Sequence, residues 1–320
     1  VYLALAPMEG VLDFWVRDLL TQCNQYDLCV TEFVRVVDQL LPERVFFRMS
    51  PELYNSGFTQ AGTPVRIQLL GREPGWMAEN AVRAIELGSQ GVDINFGCPS
   101  KGVNRKSGGA AMLQEPESIY RVVKSVRDAV PQRHVVSAKI RLGWDTDTFS
   151  CDIADAVAAG GANELVVHGR TKQDGYRADA INWNAIQKIV QRLSIPVCAN
   201  GEIWDHKDAN QCIQHSSTNR LMVGRGALTT PNLSQVIRHN SQIMLWDEVV
   251  SILLAYLDQD VPGNAPLYFP RRIKQWLKYL KKSYPQAITL FEHIRALNDI
   301  MSIRKALDTA QATNQRQQAI

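Results

Sequence analysis

The side chain best placed for chemistry is Cys98, in the run Asn95-Phe96-Gly97-Cys98-Pro99, which follows the strand-like Gly91-Val92-Asp93-Ile94. Pro99 cannot extend a strand ladder and Gly97 lets the backbone turn sharply. The glycine-rich segment Ser107-Gly108-Gly109-Ala110-Ala111 that follows lets something large approach the main chain closely. A thiol on such a loop is both exposed and positioned, whereas a cysteine buried at a strand end would be only a small core residue. With an unperturbed pKa near ~8.5 it is mostly protonated at neutral pH and can act as a general acid. No base stands beside it in sequence, which argues against a nucleophile. A second candidate is Lys139, inside the otherwise apolar run Val135 to Leu142. An inward lysine there needs an anionic or electron-rich partner.

These residues need elements to hold them. Short apolar or alternating runs recur eight times: Val1 to Ala6, Leu28 to Phe33, Val65 to Leu70, Val92 to Phe96, Val135 to Leu142, Leu165 to His168, Ile195 to Ala199 and Leu221 to Val223. Stretches with helical apolar spacing separate them, among them Gly75 to Leu87, Pro116 to Val130, Thr148 to Ala159, Trp183 to Leu193 and Asp205 to Gln214. Strand then helix, eight times over, predicts an α/β fold of the (β/α)8 TIM-barrel type, with an open doubly wound sheet as the competing arrangement. A barrel builds its active site at the strand C-termini. Those ends read Pro7-Met8, Glu32-Phe33-Val34-Arg35, Gln68, Asn95 with Cys98, Lys139 with Arg141, His168, Asn200-Gly201-Glu202 and Gly224-Arg225. Polar groups ending apolar strands all on one side cost stability unless they bind something together.

The chain has 320 residues, 45% hydrophobic and 21% charged, as expected of a globular protein large enough for one big domain and a smaller one. No apolar stretch approaches the ~20 residues of a membrane span and Val1 to Pro7 is too short for a signal-peptide core, so a cytoplasmic protein with no membrane partner is expected. Six scattered cysteines, without a CxxC pair or a zinc-like Cys/His cluster, predict reduced thiols and no metal. The net charge is +3, yet from Pro266 to Ile320 ten Lys/Arg face three acids, so the rest of the chain is net acidic. That asymmetry points to a polyanion, nucleic acid first. From about Asp247 the pattern is helical, interrupted by the proline-containing loop Val261 to Pro266. Two domains are therefore expected: a barrel over residues 1–240 and a small all-helical domain over 241–320. On the helix starting near Pro270, Ile273, Trp276, Leu277 and Leu280 make one face, and Arg271, Lys274, Lys278 and Lys281 the other.

Neither G-x-G-x-x-G after the first strand nor G-x-x-x-x-G-K-[ST] occurs, which leaves Rossmann and P-loop sites unsupported. Asn200-Gly201-Glu202 and Gly224-Arg225-Gly226 instead fall where barrels bind phosphate, after strands 7 and 8. A flavin would suit Lys139, because a cation near its N1/C2 carbonyl stabilises the reduced ring; Gln68 and His168 could hydrogen-bond the ring edge or ribityl chain.

Six blocks together, Leu5-Ala6-Pro7-Met8-Glu9-Gly10, Asn95-Phe96-Gly97-Cys98-Pro99, Lys139-Ile140-Arg141, His168-Gly169-Arg170-Thr171, Asn200-Gly201-Glu202-Ile203 and Gly224-Arg225-Gly226-Ala227, resemble the tRNA-dihydrouridine synthases. The resemblance implies an FMN-containing (β/α)8 barrel with a helical C-terminal domain, reducing the C5–C6 double bond of uridines in tRNA with NADPH as electron donor. Carried over, it makes Cys98 the proton donor and Pro7, Met8, Glu9, Gln68, Lys139, His168, Asn200, Gly201, Glu202, Gly224 and Arg225 the FMN site. The segments Thr31 to Gln39 and Arg272 to Leu277 are most similar to C-type bacterial members, which act on the D-loop uridine at position 16. That comparison makes Arg35, Asn95, Tyr176, Arg272, Lys274, Trp276 and Arg295 candidate tRNA contacts, joined by Arg141, Arg177 and Lys278 from the residue types themselves. A monomer is expected. The competing functions are an FMN barrel oxidoreductase acting on a free pyrimidine or small enone, and a flavin-free RNA-binding barrel.

Overall fold

The strands are short because each needs only to cross a barrel wall. In a computed structural model, which describes residues 1–105, 108–259 and 267–318, they are β1 (Tyr2–Leu5), β2 (Leu28–Arg35), β3 (Val65–Leu70), β4 (Val92–Asn95), β5 (Val136–Arg141), β6 (Glu164–His168), β7 (Val197–Asn200) and β8 (Arg220–Val223). All neighbours pair in parallel. β8 returns onto β1 from Tyr2↔Arg220 to Leu5↔Val223, closing the barrel and excluding the open sheet. The proline-containing loop at 261–266, Lys106 and Ser107 lie outside the described residues.

Side chains alternate along each strand, so one set faces the outer helices and the other the barrel interior. The outward set joins the main apolar core with Leu3, Leu5, Ile67, Leu69, Ile94 and Ile140. A separate small interior cluster is made of Ala4, Ala6, Leu28, Val30, Val166, Cys198 and Met222. At the other inward positions several polar groups are paired: Arg66 donates to Ser137 Oγ at 2.9 Å and reaches Glu164 at 3.3 Å, which Arg220 also meets at 3.4 Å. Buried charges must be matched in this way. A register irregularity in β2 between Val30 and Phe33 carries Phe33 to the mouth.

The outer helices obey ordinary rules. Helix Pro116–Ala129 starts on proline and buries Ile119, Val122, Val123 and Val126, one stripe at helical spacing. Asn182 caps helix Trp183–Arg192 and Asp205 caps His206–Ser216, accepting from Ala185 N at 3.0 Å and Asp208 N at 2.8 Å.

Four helices follow the barrel, Trp246–Leu257, Tyr268–Leu280, Pro285–Ile294 and Ile300–Gln318. Their buried side chains belong to the same apolar core as the barrel exterior. The chief polar tie is Asp13. Its Oδ1 caps helix Phe14–Cys23 by accepting from Val16 N at 3.0 Å, while Oδ2 accepts from Tyr256 and Tyr268 hydroxyls at 2.8 Å each and from Arg272 at 2.9 Å. Arg272 also donates to the carbonyls of Gly10 and Val11. Trp276 is 4% exposed and donates its indole N–H to Leu228 O at 3.1 Å. Of the expected tRNA contacts, Arg272 and Trp276 thus face the barrel here, the first pairing with the largely buried Asp13 carboxylate and the second packing in the core. The basic face is as expected. Lys278 and Arg295 are exposed, and Lys274 is half-buried with a bond to Asn298 at 3.2 Å.

Candidate active site

A cavity of about 510 Å³ opens at the C-terminal ends of the strands, and all eight contribute to its lining. Cys98 and each of Pro7, Met8, Glu9, Gln68, Lys139, His168, Asn200, Gly201, Glu202, Gly224 and Arg225 line it, as do Asn95, Arg141 and Tyr176. Arg35, Arg177, Lys274, Lys278 and Arg295 stand outside its lining.

The Cys98 loop is held by its own backbone. Asn95 Oδ1 accepts from the N–H groups of Gly97 and Cys98, both at 2.9 Å, and Cys98 O accepts from Ala110 N at 3.1 Å and Asn104 Nδ2 at 3.3 Å. Gly109 has φ +59°, and a Cβ there would sit 3.0 Å from Cys98 O and 3.1 Å from Cys98 Cβ. At Gly109, then, what approaches the main chain closely is the cysteine loop itself. Arg141 clamps the same loop from β5, donating to Gly97 O at 2.9 Å and to Thr171 O and Gly175 O at 3.0 Å each. Asn95 and Arg141 are thus scaffolding for the loops as well as lining.

The electrostatics favour a protonated thiol. Burial pushes the Cys98 pKa above its ordinary value, aided by nearby Glu9 and opposed by Arg141 and Arg35. Lys139 is pulled down to about 8, first by burial and then by the Arg141 charge. His168 is driven well below its ordinary value by burial, with Arg141, Lys139, Arg170 and Arg225 adding to the effect, so its imidazole is neutral at neutral pH. Burial is the larger cause in both cases, but the Arg141 charge lowers each as well, and such a set of buried cations suits an electron-rich guest.

Near β7 and β8 the cavity narrows around glycine. Gly201 has φ +118°, and a Cβ would meet Ile181 at 2.8 Å and His168 at 3.0 Å. Arg225 is ion-paired with Glu202, which also meets the fully buried Arg170 at 2.8 Å and the Trp204 indole N–H. Two arginines on one carboxylate hold Glu202 below the usual carboxylate range despite burial. Tyr176, 57% exposed, sits with its ring centroid 5.2 Å from the guanidinium carbons of both Arg141 and Arg225.

The sequence profile described as Dihydrouridine synthase (Dus) matches residues 4–318. The chain belongs to the dihydrouridine synthase family. It is 57% identical over 304 residues to the tRNA-dihydrouridine(16) synthase of Pasteurella multocida (strain Pm70), covering 95% of this chain and 97% of that protein. It is also 57% identical over 303 residues to the protein of the same name from Escherichia coli (strain K12), covering 95% and 96%. Among solved structures, a morphinone reductase mutant in complex with tetrahydroNAD aligns with a TM-score of 0.51 at 12% identity, over 76% of this chain and 87% of that one. That likeness concerns the barrel fold.

Within this dihydrouridine synthase, several lining residues escaped sequence reasoning. Tyr279 reaches the cavity from the helical tail, and Trp204 lines it with its indole N–H on Glu202 at 2.8 Å. Trp204 is also covered by Lys282, whose Nζ is 3.1 Å from the ring centroid. The available signal for Tyr279 was its spacing from Arg272 and Trp276, which puts all three along one side of the helix. Among the described residues no His/Cys/Asp/Glu cluster could hold a metal, and no helix is long and apolar enough to cross a membrane.

Proposed function

We propose that this protein reduces the uridine at position 16 of tRNA to 5,6-dihydrouridine, with FMN bound in the barrel mouth, NADPH as the electron source and Cys98 as the acid. Family membership and two relatives named for position 16 support the reaction. The observation that carries the mechanism is the Cys98 thiol, its pKa raised by burial, in one cavity with Lys139, His168 and Arg225.

The residues present fit the flavin. Lys139 carries a positive charge made unstable by burial, and the Gly201 and Gly224 backbones line the cavity with Arg225, where a phosphate would be held. Pro7, Met8, Glu9, Gln68, His168, Asn200 and Glu202 would hold the rest. When bound and reduced, FMN supplies the hydride that adds to uracil C6. The negative charge left on C5 and the C4 carbonyl is quenched by the Cys98 proton, delivered to C5. Asn95 and Arg141 keep that thiol at a fixed place in the wall by fastening its loop. Tyr176, braced between two guanidinium groups, offers a ring at the mouth for an unstacked base.

Residues 1–240 form the catalytic barrel in this reading and 241–320 the tRNA-binding unit. The outward face of helix Tyr268–Leu280 carries the RNA, with Arg35, Arg177 and Arg295 adding positive charge around the mouth. Replacing Lys274 and Lys278 together by glutamate should raise KM for tRNA at least tenfold and flatten the salt dependence of binding by roughly one to two in log–log slope, leaving bound flavin unchanged. Filter binding from low to moderate salt checks this; an unchanged affinity removes the tail from RNA binding.

The test of the whole proposal is incubation of purified protein with NADPH and tRNA lacking dihydrouridine. Dihydrouridine at position 16, with no turnover of free uridine, is expected. Rapid reduction of a free pyrimidine or small enone, with tRNA untouched, would replace this function by the competing one.

A further inference from the structure

We propose that Asp93, a residue outside the cavity lining, positions Cys98 by setting the direction of a two-amide relay through Gln68 and Asn95. The inference rests on the proposed role of Cys98 as acid.

Asp93 lies on β4 at 1% exposure. Its Oδ1 accepts from Ser137 Oγ at 2.5 Å, and its Oδ2 accepts from Gln68 Nε2 at 2.7 Å. Asn95 Nδ2 then donates to Gln68 Oε1 at 2.8 Å, and Asn95 Oδ1 is left to accept from Gly97 N and Cys98 N. An amide can be turned end for end, but here neither has a choice. Burial raises the Asp93 pKa, opposed by the Gln68 and Ser137 hydrogen bonds and the Arg66 and Lys139 charges. Both of its oxygens accept in this arrangement and backbone N–H groups only donate, so the two ends agree on how both amides between them point. Arg66 donates to Ser137 Oγ at 2.9 Å, which directs the hydroxyl hydrogen toward Asp93 and completes its surroundings. Gln68 and Asn95 line the cavity and Asp93 does not, so Asp93 acts on the thiol only through them.

Asp93→Asn keeps the shape and removes the acceptor-only end. Facing Ser137, its new N–H shares the hydroxyl oxygen with Arg66 and sends the Ser137 proton to the longer 3.5 Å contact with Val92 O; facing Gln68, it turns both amides and points Asn95 Nδ2 at two N–H donors. We expect single-turnover uridine reduction by prereduced enzyme to fall about tenfold, with KM for tRNA and flavin content unchanged. The fall should exceed any fall in flavin reduction by NADPH. Asp93→Ala should fall further, and in an Asn95→Ala background Asp93→Asn should add nothing. An independent readout is carbamidomethylation of Cys98 by iodoacetamide, followed by mass spectrometry of its peptide in the flavin-loaded protein. Loosening the loop should speed it at least threefold in Asp93→Asn. That measurement stands even where Asp93→Ala does not fold, and even if the protein proves to act on a substrate other than tRNA. Wild-type reduction and alkylation rates in Asp93→Asn, or losses that add to those of Asn95→Ala, would overturn the proposal.

Discussion

Cys98→Ala should still accept electrons from NADPH at the normal rate yet form dihydrouridine about 10²–10⁴-fold more slowly, the usual contribution of a positioned general acid. Lys139, lowered to about 8 by burial and then by the Arg141 charge, is the competing acid in the lining, whereas Arg141 is held by three carbonyls and His168 is neutral, so retention of this step in Lys139→Met separates the two. The pH dependence follows from the direction of the thiol shift. A pKa raised by burial keeps Cys98 protonated through neutrality, so the single-turnover rate of the wild type should be flat there and fall only on the alkaline side, as thiolate replaces thiol. Cys98→Ser keeps an O–H but a much weaker acid, and should lie between wild type and alanine. Rapid-quench assays on prereduced enzyme check this; full-rate product from Cys98→Ala would refute the acid role.

Lys139→Met should lower the reduction potential of bound flavin by roughly 60 mV, equivalent to about 2.7 kcal/mol, the lower end of what one preorganised charge contributes in a water-excluded site. Lys139 is costly in the free protein, since burial and Arg141 hold it down to about 8. An electron-rich ring beside the ammonium reverses that penalty. Linkage then fixes the sign of a pH effect: affinity for a negatively charged ring should be constant below about pH 8 and weaken above it, as the free protein loses the Lys139 proton. The methionine variant should lack this dependence. Equilibration with a reference dye measures the potential, and an unchanged value would place the charge elsewhere.

Much of this was legible before any coordinates. All eight strands lie within two residues of the runs that predicted them, and Gln68, Asn95, Lys139, His168 and Asn200 stand where those strands open on the cavity. Most residues around the cavity followed from the strand ends, though not Trp204 or Tyr279. What stayed hidden was the partner of each polar group. The amphipathic helix Tyr268–Leu280 has a readable apolar face, but periodicity does not say that Asp13, more than 250 residues earlier, waits opposite Arg272. Trp276 could equally have been an exposed stacking platform until Leu228 appeared as its acceptor. Gly109 announced a close approach without naming Cys98 as what approaches. Asp93 read as an ordinary strand residue, since its link to Gln68 crosses from β4 to β3.

The central claim is that this chain makes dihydrouridine at one tRNA position with Cys98 as the acid. Its most direct test maps dihydrouridine in tRNA from a strain lacking the protein, complemented with wild type or with Cys98→Ala. Uridine should reappear at position 16 in the deletion strain, revert to dihydrouridine with the wild-type protein and persist with the alanine variant. Dihydrouridine retained at position 16 in the deletion strain, or restored by Cys98→Ala, would contradict it.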